Sequence, residues 1–198
     1  MGLSFHYSGR IANPESLPEL IEEIEDIAKV FNWKYFVFER QFPDNTVGNP
    51  NYNQHLYGIC FTPTNCETID ICFLSNGRMS SAEHLQFWGK TNEQPERDYL
   101  YMLSVKTQYA GSDVHLFVIQ LFRYLNVKYL ADFKLSDDGR YWETNDESVL
   151  KKNFDRYTEL IEGFASAIQN QPIGTDENME NYFIRLIRQI HEQKDQDD

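Results

Sequence analysis

The stretch YLYMLSVKTQYAGSDVHLFVIQLFRYLNVKYLADFKL, residues 99–135, decides the fold class. Its first part, Tyr99 to Tyr109, alternates apolar and polar positions: Tyr99, Tyr101, Leu103, Val105 and Tyr109 share one side. That period of two, with aromatic and β-branched residues, predicts a strand. Ala110 to Asp113 breaks the alternation and supplies helix-capping side chains. From Val114 to Val127 only His115, Gln120, Arg123 and Asn126 are polar, and they fall within one side of a helix. So narrow a polar stripe predicts a helix buried around most of its circumference. KYLADFKL then predicts a return strand, which completes a strand–helix–strand unit.

The same pattern is read earlier in the chain. Phe5 and Tyr7 mark a first strand, and Ser16-Leu17-Pro18-Glu19 reads as a capping box. Leu17, Leu20, Ile21, Ile24, Ile27, Ala28 and Phe31 form an amphipathic helix stripe, and Tyr35 to Phe42 predicts a strand. FNWKYF (Phe31–Phe36) and LNVKYL (Leu125–Leu130) match at a constant offset of 94, with Leu20, Ile24 and Ile27 falling on Val114, Val118 and Leu121. These coincidences predict an α+β fold of two pseudo-repeated β-α-β halves, a mostly antiparallel sheet and about four helices. The expected organisation is a single domain over 1–198, with halves near 1–75 and 99–170 and a last helix near 176–194.

Between the halves, residues 43–54 form a turn-rich loop. LYGICF and IDICFL flank PTNCET as a hairpin, and symmetry about Cys66 would set Cys60 opposite Cys72. Residues 76–98 contain a short helical pattern, SSAEHLQFW, within what otherwise reads as a crossover or a lid. After the central unit, Asp137-Asp138-Gly139 is a turn leading into RYWET, and Thr144-Asn145-Asp146-Glu147 reads as a second capping box. Leu150 to Ile168 and Met179 to Ile190 carry two more helix stripes, separated by a break at Pro172 and Gly174, and KDQDD reads as a fraying tail.

Composition bounds the function. Aromatic residues at 15% and apolar residues at 41% suffice for a packed core. No run of 18 apolar residues predicts a membrane span, and the N-terminal pattern is unlike a signal peptide, so a cytoplasmic location is expected. The net charge of −13 is segregated: residues 14–32 hold six acids and one base, residues 137–198 fifteen acids and seven bases. Everything else balances, ten against ten. Two acidic helix faces disfavour nucleic acid, which needs a basic footprint, and favour a basic protein partner.

No HExxH, GxSxG or phosphate-cradling glycine loop is present, so no catalytic residue and no cofactor is assigned. The spacing Cys60-x5-Cys66-x5-Cys72, with His55 nearby, lacks the tight pairs of a structural zinc site and reads as reduced thiols. Two places carry candidate chemistry. Asp113 and His115 open the central helix, where a neutral imidazole would suit base work in a ligand-binding or hydrolytic pocket floored also by Tyr109. Asp137, Asp138 and Glu143 bracket Tyr141 and Trp142, a pairing of rigid aromatics and acids suited to a binding hot spot. The preferred expectation is a non-enzymatic interaction protein, inhibitory or immunity-like by analogy, and the pocket near His115 is the alternative.

KTQYAGSDVH (Lys106–His115), the helix it opens and GRYWET (Gly139–Thr144) together resemble an uncharacterised family of bacterial cytosolic proteins. The resemblance spans about residues 106–154 and implies a bacterial protein, with no activity or catalytic residue carried over.

Overall fold

The computed structural model describes residues 2–91, 93–170, 173–174 and 177–197, the last nine of them by backbone alone. The chain divides into two compact units, 1–151 and 152–198.

In the first unit, β1 (Ser4–Ile11) buries Phe5, Tyr7 and Ile11. A 3-10 turn at Pro14–Ser16, capped by Asn13 accepting from the Glu15 amide, leads into α1 (Leu17–Val30), whose N-cap residue Ser16 makes no side-chain capping bond. The apolar stripe of α1 is buried at Leu17, Leu20, Ile21, Ile24 and Ala28. Each of the leucine and isoleucine side chains removed from water contributes about 1.5–3 kcal/mol. Strands β2 (Lys34–Val37), β3 (Leu56–Thr62) and β4 (Ile69–Leu74) form one antiparallel sheet in that order. Helices α2 (Ala82–Trp88) and α3 (Glu96–Tyr99) follow, then β5 (Leu103–Lys106), α4 (Ser112–Lys128), β6 (Leu130–Asp137) and α5 (Tyr141–Thr144). A second antiparallel sheet has the order β5-β1-β6.

Because β5 and β6 both run antiparallel to β1, they are parallel to each other, and β5-α4-β6 is a split β-α-β unit with β1 inserted. Phe122 of α4 lies 5.5 Å from Phe5, 4.7 Å from Tyr7 and 5.6 Å from Phe133, ring centre to ring centre, which seats the helix on one face of the sheet. Residues 77–80 join the two sheets. Met79 donates to Gly9 O and Ile11 to Gly77 O, both at 2.9 Å, while Ser80 donates to Cys72 O at 3.0 Å.

The mixed α+β class agrees with the sequence, and both sheets are antiparallel. Seven helices, however, lie among the described residues, in place of about four. Of the additional three, α2 falls within the short helical pattern SSAEHLQFW, whereas α3 and α5 span four residues each, too few to display a helical period. The paired halves are also corrected. β1 and β2 lie in different sheets, whereas β5 and β6 share one. The matched motifs differ as well: Asn32 sits beyond the end of α1 in the left-handed region at φ 53°, while Asn126 is inside α4.

The hairpin register shifts by two residues from the expected symmetry. Ile59 pairs with Ile71 as the face pattern requires, but Cys60 faces Asp70 and Cys72 faces Gly58. A shift of two preserves every side chain's face and changes only its partner. Within residues 76–98, the described helix α2 packs on the hairpin. Leu85 and Trp88 pack with Leu56, Cys72, Leu74, Leu100 and Tyr101, so α2 covers the outer face of the hairpin.

The second unit contains most of α6 (Glu147–Asn170) and all of α7 (Met179–Asp197), which runs through most of the tail expected to fray. Asp146, not Thr144, accepts the Ser148 amide at 2.8 Å at the start of α6. Within the unit Phe164 stacks on Phe183, and Arg185 pairs with Glu177 at 2.8 Å. Pro172 lies outside the described residues. Among the described residues, no helix is long and apolar enough to cross a membrane.

Candidate functional site

The split β-α-β unit gathers three residues that are far apart in sequence. Thr107 follows β5, His115 lies in the first turn of α4 and Asp137 ends β6. Thr107 Oγ1 and His115 Nδ1 are 2.6 Å apart, and His115 Nε2 is 2.9 Å from Asp137 Oδ1. Asp137 also accepts from the amides of Gly139 at 2.7 Å and Trp142 at 3.0 Å. Burial alone would raise the Asp137 carboxyl, but the His115 ring and the two amides together hold it below its ordinary value.

A hydroxyl, an imidazole and a carboxylate in this order match a nucleophile, its base and the base's orienter. Access is what this cluster lacks. The side chains of His115 and Asp137 are fully buried, as is Thr107, and the Phe5 ring stands edge-on 6.0 Å from the imidazole. A Cβ on Gly139 would come within 3.0 Å of His115 Nε2. Asp113 and Tyr109, the other expected pocket groups, are exposed rather than gathered around the ring. The cluster therefore acts as a polar clasp that ties β5, α4 and β6 together.

The acidic-aromatic segment is built from the same clasp. Tyr141 is buried, Trp142 half-buried, and Asp138 and Glu143 exposed. Arg123 reaches from α4 to donate to the carbonyls of Tyr141 at 3.1 Å and Trp142 at 2.8 Å. Its guanidinium carbon lies 5.1 Å from the Trp142 ring, which meets Phe133 edge-on. Asp138 accepts from the Ser4 amide and Glu143 from the Asp137 amide. Of the seven singled-out residues, His115, Asp137 and Tyr141 face inward. Asp113, Asp138, Trp142 and Glu143 reach solvent, and two of the acids there also hold backbone amides.

The acids of α1 divide in the same way. Lys29 and Arg40 hold the Glu25 carboxyl below its usual range, and Lys128 binds Glu23 at 2.6 Å. Glu22 and Asp26 are exposed on the outer side of the helix, Asp26 lying 3.7 Å from Lys29.

Beside this helix lies a surface that sequence reasoning missed. β2 ends its sheet, and among the described residues no strand pairs with its outer edge. Phe38 donates its amide to Gly58 O at 2.9 Å, so by alternation Tyr35 and Val37 present their backbone groups outward. Phe36 is 60% exposed and Phe31 48%, and Val30 stands almost free of the surface. On the α2 side of the edge, Phe36, Phe38, Leu56, Leu85 and Gln86 line a groove of about 620 Å³. The run YFVF reads as any apolar strand, and nothing in it distinguishes an edge from a centre.

A second concavity, about 690 Å³, contains Cys60, Cys66, Asp70, Glu83 and His84. Burial, and secondarily Glu83, pushes the Asp70 carboxyl up to about 7. Among the described residues, no group of three or more His, Cys, Asp or Glu side chains is placed to hold a metal ion. All three cysteines are free thiols. Burial pushes Cys60 and Cys66 up to about 11, and fully buried Cys72 is raised as well. Since the thiolate is the reactive form, an aromatic disulfide reagent at pH 8 is expected to modify the native thiols slowly and all three rapidly after unfolding. A fast-reacting thiol in the native protein would contradict this environment.

No protein-family model matches the chain, and neither a curated protein nor a solved structure matches it.

Proposed function

We propose that the chain is a non-enzymatic interaction module that receives an extended, basic segment of a partner protein along the open edge of β2. The unpaired edge with Phe36 at its centre carries this reading. An extended segment added there would bond to the outward backbone groups of Tyr35 and Val37 and seat an apolar side chain in the groove beside Phe36. Natural sheets usually shield such an edge with charge, proline or a covering element. Here Lys34 is the one charge on the strand, and Phe36 and Phe38 flank the outward groups of Val37. Charge selects the partner: Glu22 and Asp26 on the adjoining helix, and the net −13 of the chain, draw a basic segment and repel an acidic one.

The test is a pull-down from a lysate of the protein's own cells at low and raised salt. A stoichiometric basic protein, weakened as salt screens exposed charge, is expected with the wild type. Phe36→Asp is expected to weaken its capture at least tenfold while changing stability by no more than about 1 kcal/mol, as for most surface substitutions. Glu22→Gln with Asp26→Asn is expected to weaken it less and to flatten the salt dependence. Undiminished capture by Phe36→Asp, or loss only with Trp142→Ala, would move the contact away from β2 and contradict the proposal.

A further inference from the structure

The face of the β5-β1-β6 sheet turned away from α4 is polar and lacks the acidity of the chain as a whole. His6 and Arg10 of β1, Ser104 of β5, and Lys134 and Ser136 of β6 are exposed on it. At the Arg10 end, this face runs into a cavity of about 400 Å³ whose wall includes Ser8, Arg10, Arg78, Tyr101, Asp132 and Lys134. Three bases and one carboxylate leave a local charge of +2 in a chain whose net charge is −13.

The cations are held in different ways. Arg10 Nε binds Asp132 at 2.8 Å, which uses one of the guanidinium's donors and accounts for the single acid. Among the described residues, neither Arg78 nor Lys134 pairs with a carboxylate. Arg78 nevertheless has a built position. Its guanidinium carbon lies 3.3 Å from the centre of the Tyr101 ring. Asn76, itself buried, fixes both partners, donating to Tyr101 Oη at 3.3 Å and accepting from the Arg78 amide at 3.0 Å. A guanidinium stacked on an aromatic face keeps its in-plane N–H edge available for a bidentate anion. Exposed Gly48 forms another part of the wall.

We propose that this cavity binds a small phosphorylated ligand. A phosphate monoester carries close to two negative charges at neutral pH and three strong acceptor oxygens. It would match the local charge, with Arg78 as the fork, Lys134 as the point charge and Ser8 as a hydroxyl donor. A carboxylate would neutralise only half of that charge. The volume lies at the small end of the range for small-molecule sites. The site is separate from the β2 edge and stands or falls independently of the proposed interaction.

The experiment is calorimetric titration of the full chain with inorganic phosphate at pH 7.5 and low ionic strength. Saturable binding of one phosphate per chain is expected, weakened at least tenfold by Lys134→Ala and by Arg78→Ala and unchanged by Lys151→Ala, an exposed base outside the cavity. Arg78→Lys, which keeps the charge without the fork, is expected to fall between wild type and Arg78→Ala. Lys134 is exposed, so its variant tests the site even if losing the Arg78–Tyr101 stack destabilises the fold. Absence of saturable binding by the folded wild type would overturn the proposal, as would equal affinity in the Lys134→Ala variant. Binding of duplex oligonucleotide without binding of phosphate would also overturn it, marking a nucleic-acid face instead.

Discussion

Replacing Asp137 with alanine is expected to cost about 3–5 kcal/mol of folding stability, since three hydrogen bonds to one buried carboxylate are lost together. The side chain is fully buried and accepts from His115 Nε2 and the amides of Gly139 and Trp142, so alanine removes the carboxylate from all three of these hydrogen bonds at once. Denaturant titration measures the loss. A cost below 1 kcal/mol would mean that the clasp is not what joins β5, α4 and β6. The same carboxylate shapes the acid limb of the stability profile. Its folded-state pKa lies below the ordinary value of 3.8, so the unfolded chain binds more protons as acid is added. The contribution of Asp137 is therefore whole above about pH 4 and disappears as pH falls through the folded value. Asp137→Asn is expected to flatten that limb while preserving one acceptor oxygen, which separates charge from hydrogen bonding.

Gly58→Ala is expected to cost about 3 kcal/mol or more, combining a strained backbone with overpacking. Gly58 adopts φ 128° within β3, and a Cβ built there would stand 2.3 Å from Ile71 O and 3.1 Å from Cys72 Cα. Those atoms belong to the paired strand, and moving them would open the ladder on which both faces of the hairpin are packed. Gly48→Ala is the control: its φ is 88° but no atom lies within 4 Å, so only the conformational penalty of about 1–2 kcal/mol applies. Equal losses at the two positions, read by denaturant titration, would show that the β3–β4 contact yields more easily than backbone atoms in a ladder should.

These two sites mark how far the sequence could be read. The stripes of α1, α4, α6 and α7 were legible because long helices repeat their apolar residues often enough to show a period. The faces of the hairpin were legible from alternation, but its register was not. Ile59, Phe61, Ile71 and Phe73 fall on one side under either pairing, and the turn through Asn65, with φ 58°, sets the choice. The long strand read into Tyr99–Tyr109 shrank to Leu103–Lys106. Tyr99 closes α3 and Tyr109 is exposed beyond the strand, because tyrosine is amphipathic enough to fit either setting.

For the site, His115 and Asp137 each drew notice, but only the crossover of α4 places them 2.9 Å apart, and only packing shows that nothing can reach them. Trp142 was read as a surface anchor, whereas Arg123 and Phe133 hold it half inside. The cavity at Arg10, Arg78 and Lys134 draws residues from five segments, none of which carries a phosphate-binding motif. The edge position of β2 is a property of strand order, which no local pattern encodes.

The most direct test of the proposed interaction is amide hydrogen exchange on the chain alone and with its captured partner. Added pairing along β2 predicts new protection at the outward amides of Tyr35 and Val37, with Phe36, already bonded to β3, changing little. Protection confined to Asp138–Thr144, or no change anywhere in β2, would contradict the claim that this edge receives the partner.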